Sequence, residues 1–266
     1  MAEDELANLP AEVRRERMTS YIEASGFTRV LELATEFGVS EVTVRSDLGA
    51  LARAGLLKRV HGGAVPGRMR REPTLEEAST SAASEKDRIA RHAARLVESG
   101  QSVAIDVGST TTAVARALLD RSDLEDVTVI TNALNIALLL EPATPRFTIV
   151  VTGGTLRPRQ HSLVDPFGVD LLNQLSPDVA FVGCNGVDLE RGVTNVNLPE
   201  AAIKRTILRR TERPVIVADS SKLGQVHLGT VCSLESIDTL ITGQRPDDGF
   251  VADVETAGVT LVVAEA

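Results

Sequence analysis

Glu41, Thr43, Arg45 and Ser46 crowd the start of one short helical segment with side chains able to hydrogen-bond to base edges. A B-DNA major groove admits an α-helix, and an arginine there offers a planar pair of donors matched to the two acceptors of guanine. Thr43 and Arg45 are the expected base readers. Ser40 stands just ahead as a helix cap. Lys58, Arg59 and His61, a few residues downstream, are placed to meet phosphates or a minor groove.

Such groups need a frame. Val30, Leu31, Leu33, Ala34 and Phe37 form the apolar stripe of a first helix, and Gly38-Val39-Ser40 follows as a turn. Gly38 can take the left-handed conformation that ends a helix, while Ser40 can accept from the first free amides of the next. That next helix, residues 41–54, buries Val44, Leu48 and Leu51 at i, i+4 and i+7, which leaves the reading face open. An upstream helix bearing Met18, Tyr21 and Ile22 supplies a third wall. After a stop at Gly55, residues 56–61 read as a strand with a basic edge, turning at Gly62-Gly63 toward Val65. The pattern predicts a winged helix-turn-helix. The rival reading is a helical hairpin used for protein contacts, with its charges merely solvated. Turn, cap, polar face and wing agree on the former.

The 266-residue chain has a formal charge of −9, which taken whole argues against a polyanionic partner. The distribution reverses that inference. Residues 48–71 contain Arg53, Lys58, Arg59, Arg68, Arg70 and Arg71 and no acid, while residues 1–72 balance, so the entire excess lies in residues 73–266. With a Debye length of about 8 Å at physiological salt, a phosphate beside the wing senses the local cations. The length predicts two domains: a winged helix-turn-helix at 11–66, a linker at 67–84 and an α/β domain at 85–266. Two cysteines are too few for a disulfide framework, and no apolar run approaches the ~20 residues that span a bilayer. No charged-then-apolar leader opens the chain, so a cytoplasmic location is expected. Low aromatic content and the absence of Trp argue against a single-strand binder that stacks bases.

From residue 84 short apolar, β-branched runs at 102–107, 127–131, 147–152, 179–182, 214–218, 239–242 and 259–263 alternate with helical stretches at 111–119, 133–140, 169–175, 200–210 and 250–257. Ser84-Glu85-Lys86-Asp87 reads as a capping box opening a helix that buries Ile89, Ala93 and Leu96. This alternation predicts a mainly parallel sheet flanked by helices, with ligands at the carboxyl ends of the strands. The unusual residues gather there. Asp106, Gly108, Ser109, Thr110 and Thr111 lead from the first strand into a helix, where small residues, hydroxyls and the helix dipole suit an anion such as phosphate. The same loop is also compatible with an ordinary capped strand-to-helix turn. Further strand ends add Asn132, Gly153, Gly154, Asn185, Asp219 and Lys222: neutral donors, a carboxylate suited to sugar hydroxyls and a cation suited to phosphate. Lys204 faces either the pocket or water. No dinucleotide or P-loop motif is present, the four histidines lack metal-ligand spacing, and no nucleophile elbow occurs, so neither metal nor cofactor is expected. Cys184 reads as a buried, inert thiol rather than a reactive one.

With these residues in place the chain resembles the DeoR family of transcription regulators over nearly its whole length. The N-terminal signature is Val39-Ser40-Glu41-Val42-Thr43-Val44-Arg45-Ser46-Asp47-Leu48 with Leu57-Lys58-Arg59-Val60-His61-Gly62-Gly63-Ala64. The C-terminal one comprises Asp106-Val107-Gly108-Ser109-Thr110-Thr111, Val129-Ile130-Thr131-Asn132, Gly153-Gly154, Phe181-Val182-Gly183 and Ala218-Asp219-Ser220-Ser221-Lys222. The resemblance implies an N-terminal DNA-binding domain and a C-terminal sensor similar in fold to ribose-5-phosphate isomerase. It further implies a sugar phosphate or related effector, operator DNA as partner and repression of carbohydrate operons; because a single winged helix offers few contacts, a homodimer or homotetramer on paired half-sites is expected. Two departures stand out. Ser46 occupies a position where the family commonly has a second arginine, and Asp165 one where glycine is usual. A tethered sugar-phosphate isomerase is the rival from another class, but enediol chemistry needs a general base, and an approximate register places Lys204 at the isomerase's catalytic glutamate. An ammonium cannot take that proton.

Overall fold

The computed structural model describes residues 10–25, 27–53, 56–60, 62–66 and 72–265. The chain divides into two compact units, Met1–Glu72 and Pro73–Ala266. No described helix is long and apolar enough to cross a membrane.

The N-terminal unit contains α1 (Ala11–Ser25), β1 (Thr28–Arg29), α2 (Val30–Glu36), α3 (Glu41–Arg53), β2 (Leu57–Val60) and β3 (Gly63–Pro66). Met18 and Ile22 of α1, Val30, Leu33 and Phe37 of the α2 segment, and Val44, Leu48 and Leu51 of α3 close one core, with the Tyr21 ring edge-on to Phe37. Leu31 departs from the expected stripe: it is 64 % exposed, because a seven-residue helix has only two turns and its i, i+3, i+7 positions already fill the core side. Gly38 is left-handed at φ +62. The wing is three-stranded in the order β1-β3-β2, β1 being too short to announce itself in the sequence. An ideal Cβ on Gly63 would sit 2.2 Å from the Thr28 carbonyl oxygen and 2.8 Å from the Phe27 ring, so only glycine lets β3 lie against β1.

The C-terminal unit opens with α4 (Leu75–Thr80) and α5 (Ala83–Ala94). Residues 67–84 were expected to be linker throughout. Instead Thr74 caps α4, accepting the Glu77 amide at 3.2 Å while Glu77 takes the Thr74 amide. The helix buries only Leu75, which left no periodicity to read. The capping box expected at Ser84 is also corrected. Left-handed Ala82 precedes α5, and Glu85 is drawn into the fold, where it accepts from the Ser220 amide at 2.6 Å, the Ser220 hydroxyl at 3.1 Å and the Gly243 amide at 3.2 Å.

The seven apolar runs form one parallel sheet of β4 (Ser102–Ile105), β5 (Val127–Thr131), β6 (Phe147–Val151), β9 (Val179–Val182), β12 (Arg213–Val217), β14 (Thr239–Thr242) and β15 (Thr260–Val263). Their order is β15-β14-β12-β9-β4-β5-β6. Alternate residues feed opposite cores: Val103, Ile105, Val179 and Phe181 join α5, α6 (Ser109–Leu119) and α7 (Leu134–Leu140), whereas Ala104, Ala180 and Val182 join α8 (Phe167–Leu172), α9 (Leu198–Arg210) and α10 (Asp248–Thr256). Two small additions were not expected: the hairpin β7 (Thr155–Arg157) with β8 (Ser162–Val164), and an antiparallel sheet of β10 (Gly186–Asp188), β11 (Gly192–Asn195) and β13 (Gly229–Cys232). The order of the main sheet reverses between β4 and β9, and at such a switch point a crevice opens beyond the strands.

Candidate functional site

In the N-terminal unit Ser40 caps α3. Its hydroxyl accepts the Thr43 amide at 3.1 Å and shares a hydrogen bond with the Thr43 hydroxyl at 2.9 Å. Arg45 and Ser46 are exposed and Glu41 and Thr43 half-buried. The Arg45 guanidinium donates to the Glu41 carboxylate at 2.6 Å, one turn earlier. An exposed i, i+4 pair contributes little to stability, so it orients the guanidinium without locking it. Lys58 and Arg59 are exposed on β2, and His61 lies outside the described residues. Asp47 was missed. Buried on α3, it accepts from Arg14 Nε at 2.8 Å and Arg15 Nε at 2.7 Å and so ties α3 to α1.

In the C-terminal unit the ends of β4 and β9 meet where the strand order reverses, with β12 next to β9. Gly108, at φ +147, precedes α6, and no side chain caps that helix. The Thr111 and Thr112 hydroxyls donate to the Gly108 carbonyl at 3.0 and 2.6 Å. Thr110 and Thr111 are buried, leaving Gly108 and Ser109 half-exposed at the helix N-terminus. An ideal Cβ on Gly183, at the end of β9, would lie 3.7 Å from Thr111 Cγ2 and from the Val107 carbonyl, so the two strand ends adjoin.

Lys204 faces inward, resolving the alternative left open by its helix. Almost fully buried on α9, it ion-pairs with the fully buried Asp106 and lies 3.5 Å from the Val107 carbonyl. Burial lifts the Asp106 carboxyl to about 6 against the pull of Lys204. Burial also works against the Lys204 charge, but Asp106 and Glu200 outweigh it and hold the ammonium above its usual range. Asp106 Oδ1, though buried, has no hydrogen-bond partner among the described residues. Such an oxygen is costly to leave bare and suits a donor hydroxyl.

Three of the expected residues also make internal contacts. The Asn132 side chain accepts the Val107 amide at 3.2 Å and donates to the Leu163 carbonyl at 3.4 Å. Asn185 accepts the Val196 amide at 2.9 Å. Asp219 accepts from the Ser221 amide at 3.2 Å and the Ser221 hydroxyl, and its other oxygen lies 3.7 Å from Lys86 and 4.0 Å from the partly exposed Lys222. Gly153 and Gly154 have φ +71 and +125, and an ideal Cβ on Gly154 would meet the Val164 carbonyl at 2.5 Å, so glycine closes the hairpin. Asp165 holds φ +20, at the edge of the region that glycine occupies freely. Burial pushes the Cys184 thiol up to about 12, away from reactive thiolate. Sequence reasoning missed Arg157, Ser162 and Glu200. Glu200, one turn before Lys204, accepts the Ser162 hydroxyl at 2.6 Å and pairs with the Arg157 guanidinium. The i, i+4 spacing of Glu200 and Lys204 was the available signal.

A winged helix-turn-helix joined to a doubly wound domain with a polar crevice defines a DNA-binding regulator that senses a small molecule. The DeoR-like helix-turn-helix domain model matches residues 14–66 and the DeoR C terminal sensor domain model matches residues 81–244. The chain belongs to the DeoR family. It is 36% identical to the HTH-type transcriptional regulator GlpR of Haloferax volcanii over 96% of this chain and 98% of that one. It is 32% identical to the glycerol-3-phosphate regulon repressor of Escherichia coli K12 over 88% and 91%. A solved ribose-5-phosphate isomerase in complex with phospho-erythronic acid superposes with TM-score 0.40 at 18% identity, covering 53% of this chain and 54% of that one. Its full-length relatives are named as regulators, so the tethered-isomerase alternative is not favoured.

Proposed function

We propose that the protein is a cytoplasmic repressor of a carbohydrate or polyol-phosphate operon, released from or driven onto its operator by a phosphorylated metabolite. The observation that carries the effector class is the uncapped N-terminus of α6 at the sheet's order reversal, beside the unsatisfied Asp106 oxygen, with Lys222 following β12, two strands along the sheet. Amides at a helix N-terminus favour an anion, and a carboxylate oxygen accepts a hydroxyl. A sugar or polyol phosphate offers both. The name of the Escherichia coli relative supports the same class. Thr43, Arg45 and Ser46 face the bases, with Ser40 as cap and Glu41 as the group that steadies Arg45, while Lys58, Arg59 and His61 meet the backbone. A single winged helix makes few contacts, and a homo-oligomer presenting two of them to half-sites roughly 34 to 36 Å apart recovers affinity.

Arg45→Ala should cost about 1–3 kcal/mol of discrimination at one base pair, whereas Lys58→Ala should weaken every sequence alike and flatten the salt slope by about one. Competition binding against operator and random DNA separates the two; equal losses would refute the division. For the pocket, glycerol 3-phosphate, ribose 5-phosphate and inorganic phosphate are tested by thermal shift on the wild type and Lys222→Ala. Stabilisation unchanged in the variant removes Lys222 from the site.

A further inference from the structure

The reading helix exposes one aliphatic side chain on the surface meant for bases. Val42, the second residue of α3, is 73 % exposed and takes no part in the trihelical core. Isolated apolar side chains on a surface are ordinary, so location carries the argument. Helical spacing lines Val42 up with Ser46, Gly49 and Arg53, on the side opposite Val44, Leu48 and Leu51. Thr43 and Arg45 flank it. The positions one and two turns further along are small, Ser46 and Gly49. An ideal Cβ on Gly49 would meet only the Arg53 and Arg59 guanidinium groups, each at 3.9 Å. The face is therefore low at Ser46, one turn from Val42, and the two guanidinium groups close over it only at Gly49. Arg53 and Arg59 thus sit toward the end where phosphates belong, while Arg45 flanks Val42. Serine at position 46 keeps the floor low beside Val42.

A valine side chain has no hydrogen-bonding group, and the apolar feature on a major-groove floor is the thymine C5 methyl. We infer that Val42 reads a thymine through that methyl, a specificity contact separate from the one assigned to Arg45.

Uracil pairs as thymine does and lacks only the methyl. The preferred duplex is selected from a random pool by the full-length protein, and each thymine in it is then replaced in turn by uracil. At one position or more, replacement should weaken wild-type binding about fourfold, the worth of one buried methyl group. Val42→Ala should bind the unsubstituted duplex about fourfold more weakly and be indifferent to uracil at that same position. Tyr21 emission, reporting from the core of the same unit, should match the wild type. Wild-type binding indifferent to every uracil overturns the assignment without recourse to any variant. So does a Val42→Ala protein that keeps the full uracil penalty.

Discussion

Asp47 illustrates how a single buried carboxylate positions a reading surface it never joins. Its two oxygens take one arginine each from α1, so truncation removes both ion pairs and frees α3 to shift. Asp47→Ala should destabilise the N-terminal unit by about 2 kcal/mol. The chain has one tyrosine and no tryptophan, so Tyr21 fluorescence during denaturant unfolding follows that unit alone; an unchanged midpoint would show that the pair is idle. Asp106 behaves differently because burial, not pairing, dominates. Its carboxyl titrates at about 6 when folded and at 3.8 when free. The fold therefore holds more protons between those values, and this group's stabilising contribution is lost as pH rises from 3.8 through about 6. The wild-type melting temperature minus that of Asp106→Asn should fall across that window and level off above it. A rising difference would mean that Lys204 outweighs burial. The exposed polar face of α3 was legible in the sequence because periodicity alone assigns it. The pairs Asp47 with Arg14 and Arg15, and Lys204 with Asp106, were not, since each joins elements whose adjacency only the fold decides.

At the scale of elements, all seven strands of the main sheet and the helix-turn-helix were legible, since runs of β-branched residues and a 3.6-residue period each repeat often enough to be counted. The hairpin of β7 and β8, the three-stranded sheet and α4 escaped because two helical turns, or three to four strand residues interrupted by glycine, polar and charged side chains, carry no apolar run to read. One of these omissions matters for signalling. Lys86 on α5 donates to the Ala78 and Ser81 carbonyls at the end of α4, at 2.7 and 2.6 Å, and lies 3.7 Å from Asp219. Glu85 holds the next residue, Ser220. The strand end that carries Lys222 is thereby fastened to the first helix beyond the DNA-binding unit. A ligand shifts an equilibrium only through differential contacts with its states, and if the proposed effector binds at Lys222 these two side chains would link that strand end to α4. Lys86→Met should leave operator affinity without ligand within about twofold and reduce the ligand's effect on it by tenfold or so, a coupling of the usual size. Gel-shift titrations with and without the phosphorylated metabolite selected by thermal shift measure both. A full ligand response in the variant would exclude this route.

Across the whole molecule, charge and symmetry decide how the reading surface is used. The −9 excess lies entirely beyond residue 72, whereas the described wing presents Lys58 and Arg59 with Arg53 close by. Long-range repulsion from the sensor is screened within about 8 Å at physiological salt, so affinity depends on how many such surfaces engage one duplex. In the proposed paired arrangement two recognition helices meet successive major grooves on one face of the DNA, one helical turn or a multiple of it apart. Inserting about 5 bp between half-sites rotates one of them to the opposite face, and inserting about 10 bp restores the facing at a longer reach. The first insertion should reduce affinity to that of a lone half-site, and the second should recover part of the loss, with protein and salt held constant. Equal affinity for all three spacings would mean that each unit binds alone and that a symmetric operator is not what the protein reads.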